Sequence, residues 1–289
     1  MINLLNPCLA ALCWLSVSPF LYGQISVAPE SGAVGSCKGE FYFAYGYNKN
    51  WYSRTNVRIH GDNGKTDFTL YKMKAHDRTH FKDLFKVQPS IPQYGYSIGY
   101  WMPRKGILGN FGFELKFDHA KYIVDDYQRV WMEGKVDDNS YSTDTLVDPI
   151  NFLHLEHTDG ANFLMFNVMW RHYFIELKKF RLFGFVKAGA GIVIPRTDVT
   201  LFGQRWNHCF HVAGQVAGME SGFRGQIGNI FFFDLSAKGV YCNFKNVLAV
   251  NPYMISHAFW DGMVLFDIGA NFQLGRAGRL RHKQPVREI

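Results

Sequence analysis

The chain has 289 residues and a net charge of +7, with 17% aromatic and 19% charged residues. Its mean hydropathy of −0.13 excludes a bundle of membrane helices, which would score far higher. Five cysteines without a Cys-x-x-Cys pair leave thiol–disulfide exchange and structural zinc without support.

Residues 1–23 carry no charged side chain and read as a secretory signal; residues 24–37 read as a short lead-in. The body, 38–275, alternates apolar and polar residues one by one, the period of a strand whose side chains point to opposite faces. Strands are predicted over about 39–48, 54–60 and 66–75, the last two flanking the hairpin turn Gly61-Asp62-Asn63-Gly64. Further strands are predicted over 93–102, 107–123, 128–136, 150–157, 162–173, 181–194, 208–222, 230–243 and 260–274. That is twelve, or ten if the weaker ones fail. The acidic 137–149 stretch is long where a short turn is due. Residues 276–289 form a basic tail whose charge would suit an anionic surface; a solvated, disordered tail is the simpler reading.

In these strands one face is greasy and the other charged. Phe111, Phe113, Leu115 and Phe117 interleave with Glu114, Lys116 and Asp118; Phe233 and Leu235 interleave with Asp234 and Lys238; Val264, Phe266 and Ile268 flank Asp267. Rings outward and charges inward suit a bilayer, and backbone groups in lipid must all be paired, so the sheet must close. The expected fold is all-β: a closed antiparallel up-and-down transmembrane β-barrel of 10–12 strands, twelve preferred. The lumen charges are Glu114, Lys116, Asp118, Lys187, Asp234, Lys238 and Asp267, with Glu156 facing the same way. Both signs occur, so ion pairs are expected to fill the lumen; a single-sign lining would have argued for a channel.

Six segments, Tyr45-Gly46-Tyr47-Asn48, Asp67-Phe68-Thr69-Leu70, Lys74-Ala75-His76-Asp77-Arg78, Ile91-Pro92-Gln93-Tyr94, Phe117-Asp118-His119 and Leu155-Glu156-His157-Thr158-Asp159-Gly160, stand in order along the chain. As a set they resemble a group of outer-membrane β-barrel proteins of Bacteroidetes-type bacteria, mostly uncharacterised. The resemblance implies an outer-membrane barrel and no settled activity. The chain departs from barrel habit in carrying a basic tail after Phe272.

Glu156-His157-Thr158-Asp159 is similar to the His-x-Ser-Asn stretch of outer-membrane lipid hydrolases, where a His activates a Ser two residues on. Here that place holds Asp159, so a hydrolase built on His157, Glu156 and Asp159 would need a hydroxyl from another strand. A tight Asp-Gly turn is the plainer reading. His208 and His211 face opposite ways at strand spacing, against a metal site. Cys209 and Cys242 fall roughly opposite if 208–222 and 230–243 turn near Gly225; a cross-strand disulfide is one outcome, two free thiols the other. Rossmann, P-loop and zinc-protease motifs are absent, so neither cofactor nor metal is expected.

The leading expectation is an integral outer-membrane barrel with a structural, adhesive or transport-associated role. Its partners would be the outer-membrane bilayer and other envelope proteins, not nucleic acid. The alternatives are the lipid hydrolase and a soluble, lipocalin-like binder with its rings turned inward.

Overall fold

The computed structural model describes residues 39–78, 93–104, 106–157 and 159–272. The expected signal at 1–23, the lead-in at 24–37 and the tail at 276–289 lie outside them.

The strands in chain order are β1 (Glu40–Tyr52), β2 (Thr55–Gly61), β3 (Thr66–Met73), β4 (Ala75–His76), β5 (Tyr94–Trp101), β6 (Phe111–Asp118), β7 (Tyr122–Val124), β8 (Arg129–Val136) and β9 (Asn139–Leu146). They continue as β10 (Leu153–His157), β11 (Ala161–Glu176), β12 (Phe180–Pro195), β13 (Asp198–Leu201), β14 (Gln204–Asn207), β15 (Gly214–Ile227), β16 (Phe231–Leu248) and β17 (Met254–Phe272). The main sheet has twelve strands. Eight of them, β1-β5-β6-β11-β12-β15-β16-β17, close into a ring through the β1–β17 pairing. The other four, β2-β3-β8-β9, run off the far end of β17. A second sheet, β14-β13-β10-β7-β4, is hydrogen-bonded separately from the first.

Following paired residues from Phe41 through Tyr100, Phe113, Val168, Ala188, Met219, Gly239 and Gly262 returns to β1 at Trp51. The stagger is therefore ten residues, from position 41 to position 51. Such a stagger tilts the strands and fixes which lumen side chains meet. Glu40 and Phe272 lie at one end of the ring, where β5 connects to β6 and where short turns at 177–179 and 228–230 join β11 to β12 and β15 to β16. All long excursions leave from the other end.

The sheets invert their chemistry along a single strand. On β16 the inward residues near the short turns are Asp234, Ser236 and Lys238, while Phe231, Phe233 and Leu235 stand exposed outside. Further along, with the parity unchanged, Val240, Cys242 and Phe244 are buried, and Asn243 and Lys245 take the outer face. A polar interior inside an apolar wall is the arrangement for lipid; an apolar interior inside a polar wall is the arrangement for water. The ring thus opens into an outer half with a core of its own. Val57, Ile59, Phe68 and Leu70 of the extension pack there with Leu153, Leu155, Val199 and Leu201 of the second sheet.

The 137–149 stretch is not a turn between ring strands. Asp137 and Asp138, with φ of 49° and 65°, make the tight turn of the β8–β9 hairpin, and β9 takes up most of the remainder. The 150–157 prediction falls on β10 in the second sheet, which takes Glu156 out of the lumen.

Candidate functional site

The lumen side chains come from every strand of the ring. Glu114, Lys116, Asp118, Lys187, Asp234, Lys238 and Asp267 are all buried there. The structure joins them with residues that strand parity alone did not single out. Lys187 Nζ lies 2.8 Å from Glu114 and 3.1 Å from Glu220. Lys116 bridges Glu220 at 3.4 Å and Asp267 at 3.0 Å. Tyr42 donates its hydroxyl proton to Glu114 and Ser236 donates to Glu220. Nearer the short turns Arg224 donates twice to Asp234 at 2.7 Å, with its guanidinium 3.6 Å from the Phe232 ring centroid. Arg171 meets Glu40 at 3.3 Å and lies over Trp101. Towards the outer half Lys238 pairs with Asp118, and Asn50 donates to Asp261 at 2.7 Å.

Each lysine of the central chain thus sits between carboxylates. A buried charge is tolerable only when paired and hydrogen-bonded, and this alternation supplies both conditions while filling the bore. Small residues make the room: a Cβ on Gly46 would stand 2.0 Å from Asp267 Oδ1. The sequence signal for Glu220 and Arg224 was their parity with Gly218 and Gly222 on β15. The predicted strand 208–222 contained Glu220, whereas the turn placed near Gly225 left Arg224 outside it; the turn falls at 228–230.

His157 ends β10, where Leu153, Leu155 and His157 face the core while His154 and Glu156 face away. Its Nδ1 lies 2.9 Å from Thr197 Oγ1 and its Nε2 lies 3.2 Å from His257 Nε2. The ring stacks on Phe244 at 5.1 Å. A hydroxyl within reach meets one geometric need of a hydrolase. The rest is not assembled. Asp159 pairs with Arg196 at 2.9 Å and Glu156 lies 3.6 Å from His154, so neither carboxylate orients His157. Thr197, His157 and His257 are enclosed in the core.

Burial, reinforced by His257, holds the His157 imidazole well below the usual histidine range. It is neutral in the folded chain but titrates near pH 6.5 once unfolded. The unfolded state therefore takes up the extra proton, and the stability present above about pH 6.5 falls as the pH is lowered. Limited proteolysis of the outer half should show faster cleavage at about pH 5 than at about pH 7.5, and His157→Phe should reduce that difference, the rest coming from His257, which burial lowers to about 3. On the opposite face Glu156, with Asp126 at 2.9 Å, raises the His154 pKa to about 9. Its contribution is complete below the unfolded value and is lost as the pH rises through about 9.

The expected opposition of Cys209 and Cys242 does not occur, and both thiols are free. Cys242 pairs in register with Val216 and is buried, whereas Cys209 precedes the start of β15 and is exposed. Alkylation of the folded chain should modify Cys209 readily and Cys242 only after unfolding. His208 and His211 each turn a ring nitrogen to a backbone carbonyl, Ala249 O and Asn246 O, at 3.0 Å. Among the described residues no three His, Cys, Asp or Glu side chains gather as a metal site would require.

A closed ring of even strand number, an apolar outer belt and a charged core define the class: a transmembrane β-barrel of the outer-membrane type. The lipocalin-like alternative needed Phe113, Leu115, Val264 and Phe266 inside the ring; all four are exposed on its outside. Neither a protein-family model nor a curated protein sequence matches the chain. Among solved structures it is similar to Neisserial surface protein A, at 8% identity and a TM-score of 0.31, over 81% of this chain and 97% of that one. It is also similar to the attachment invasion locus protein Ail of Yersinia pestis, at 12% identity and 0.32, over 81% and 99%. A third is the outer membrane protein OprG of Pseudomonas aeruginosa, at 11% and 0.35, over 82% and 96%. These likenesses are loose and say nothing of what this chain binds.

Proposed function

We propose that the chain is a non-conducting anchor that holds a folded β platform on the outer face of the outer membrane, in a structural or adhesive role. The observation that carries this reading is the change of interior along the ring. Ion-paired side chains fill the membrane half, and above them a hydrophobic core joins the ring to the second sheet. A pore needs a continuous wet path with mostly one sign of charge or a wide bore; a mixed-sign lumen capped by apolar packing supplies neither. The Bacteroidetes-type resemblance belongs to this reading. Its described segments fall on β1, β3, β4, the start of β5, the end of β6 and β10.

Reconstitution into planar bilayers tests the proposal. The full chain should insert, run at a heat-dependent position on gels, and pass no steady ionic current. Sustained unitary conductance from the purified, correctly folded chain would replace the anchor by a transport protein. The hydrolase reading requires the enclosed His157–Thr197 pair to open to a lipid. Thr197→Val should accordingly leave any lipid hydrolysis by the preparation unchanged.

A further inference from the structure

We infer that the membrane-proximal end of the extension sheet is a binding site for the phosphate groups of outer-leaflet lipid. The inference rests on the outer-membrane reading. The outer face of β2-β3-β8 continues the lipid-facing wall of β17, because His257 pairs with Val57, Val57 with Leu70 and Leu70 with Met132, all four facing inward. The opposite parity therefore faces outward on every strand.

The ends of these strands nearest the barrel carry Arg54, Lys72 and Arg129. With Tyr71, Trp131 and Glu133 they line a shallow cavity of about 510 Å³. Its level is set by the backbone: Ser53 donates to Trp260 O and Trp260 N donates to Ser53 Oγ. Arg54 is thus adjacent in height to an exposed tryptophan of the barrel wall. Below it on β1 and β5 lie the clustered rings of Tyr45, Tyr47, Tyr94 and Tyr96, 5.2–5.4 Å apart in sequence of contact. Tyrosine and tryptophan mark the headgroup boundary of a barrel, and the cations beside Trp260, above the tyrosines, stand where lipid phosphates lie.

A second, independent feature points to the same place. Between the Thr55–Met73 and Val57–Leu70 pairs, β3 carries one residue more than β2. The extra backbone is Lys72, at φ 58°, a region that non-glycine residues rarely enter. Asn56 Oδ1 holds it there by accepting from Lys72 N at 2.9 Å. A bulge of this kind re-aims a side chain, and here it sets a lysine beside Tyr71 on the outer face. Strain of this sort collects at functional positions; a bulge with no task would be served better by glycine.

Arg54, Lys72 and Arg129 outnumber the two acidic neighbours, Glu133 of the lining and Asp144. Arg129 shares Asp144 at 3.1 Å, but both are largely exposed, and such pairs are weak. A phosphate offers a guanidinium two acceptors in one plane and is the stronger partner. Arg58 on the same face is already committed to Asp67 through two hydrogen bonds.

The test places the full chain in phosphatidylcholine nanodiscs doped with diphosphorylated lipid A or with its dephosphorylated form. Retained lipid is read by mass spectrometry after mild detergent extraction. The chain should retain the phosphorylated form about tenfold over the other, as expected for a few cations near a membrane surface. The combined variant Arg54→Gln, Lys72→Gln, Arg129→Gln should lose that preference, and Arg58→Gln should keep it. Heat-dependent gel mobility confirms that each variant is folded. Equal retention of both lipids by the unmodified chain overturns the inference. So does an undiminished preference in the triple variant, an equal loss in Arg58→Gln, or displacement of the lipid by inorganic phosphate. A chain that inserts yet ignores phosphate defeats this inference alone, whereas one that fails to enter the disc takes the outer-membrane reading with it.

Discussion

Replacing Lys187 with methionine is expected to cost the folded barrel about 3–5 kcal/mol, because it leaves the buried Glu114 without its cation and Glu220 with Lys116 alone. Lys187 lies within 3.1 Å of both Glu114 and Glu220, and all three are shut away from solvent. Methionine keeps most of the stem's volume, so the loss isolates charge from packing. Urea unfolding in lipid vesicles, monitored by tryptophan fluorescence and gel mobility, measures it. Adding Glu114→Gln should recover part of the loss, since the carboxylate left without a cation is then removed. Lys116 still serves Asp267 in the double variant, so the rest of the chain of pairs survives. Equal stability of Lys187→Met and the parent would mean that water reaches these groups and the lumen is open.

The second large effect is expected on the outside. Leu235→Arg puts a cation on the apolar belt midway along the lower part of β16, where the depth penalty is about 2–4 kcal/mol. Asn243→Arg, on the same face of the same strand but beyond the inversion, should cost no more than about 1 kcal/mol. Leu235 is 56% exposed, and Asn243 neighbours the exposed Lys245. In water both substitutions would be close to neutral. The contrast between them therefore reports the solvent that each site meets.

The belt and the lumen charges were legible because period two survives wherever one face is uniformly apolar. Phe111–Asp118 and Phe233–Lys238 show it without interruption. Ring membership was not legible. Val57, Ile59, Phe68 and Leu70 alternate with polar residues as the ring strands do, but with the buried face apolar. Periodicity does not say which face meets lipid; only pairing does, and β2 pairs with the far end of β17 rather than inside the ring. The strand β9 carried no signal at all. Its Asn139–Leu146 run is exposed nearly throughout on both faces, so no alternation was selected. Which cation meets which carboxylate was equally hidden, because those contacts depend on the stagger of the closed ring. The His157–Thr197–His257 contacts join three separate segments and were invisible for the same reason.

The most direct measurement is a nitroxide scan along the outward positions 231, 233, 235, 237, 241, 243 and 245 of β16 in vesicles, in a background without the native cysteines, Cys37, Cys209 and Cys242 included. Oxygen should reach positions 233–237 best, with a soluble nickel chelate excluded. The two accessibilities should cross near Tyr241, and nickel should dominate at Asn243 and Lys245. Nickel access along the whole strand would place the ring in water and contradict the account.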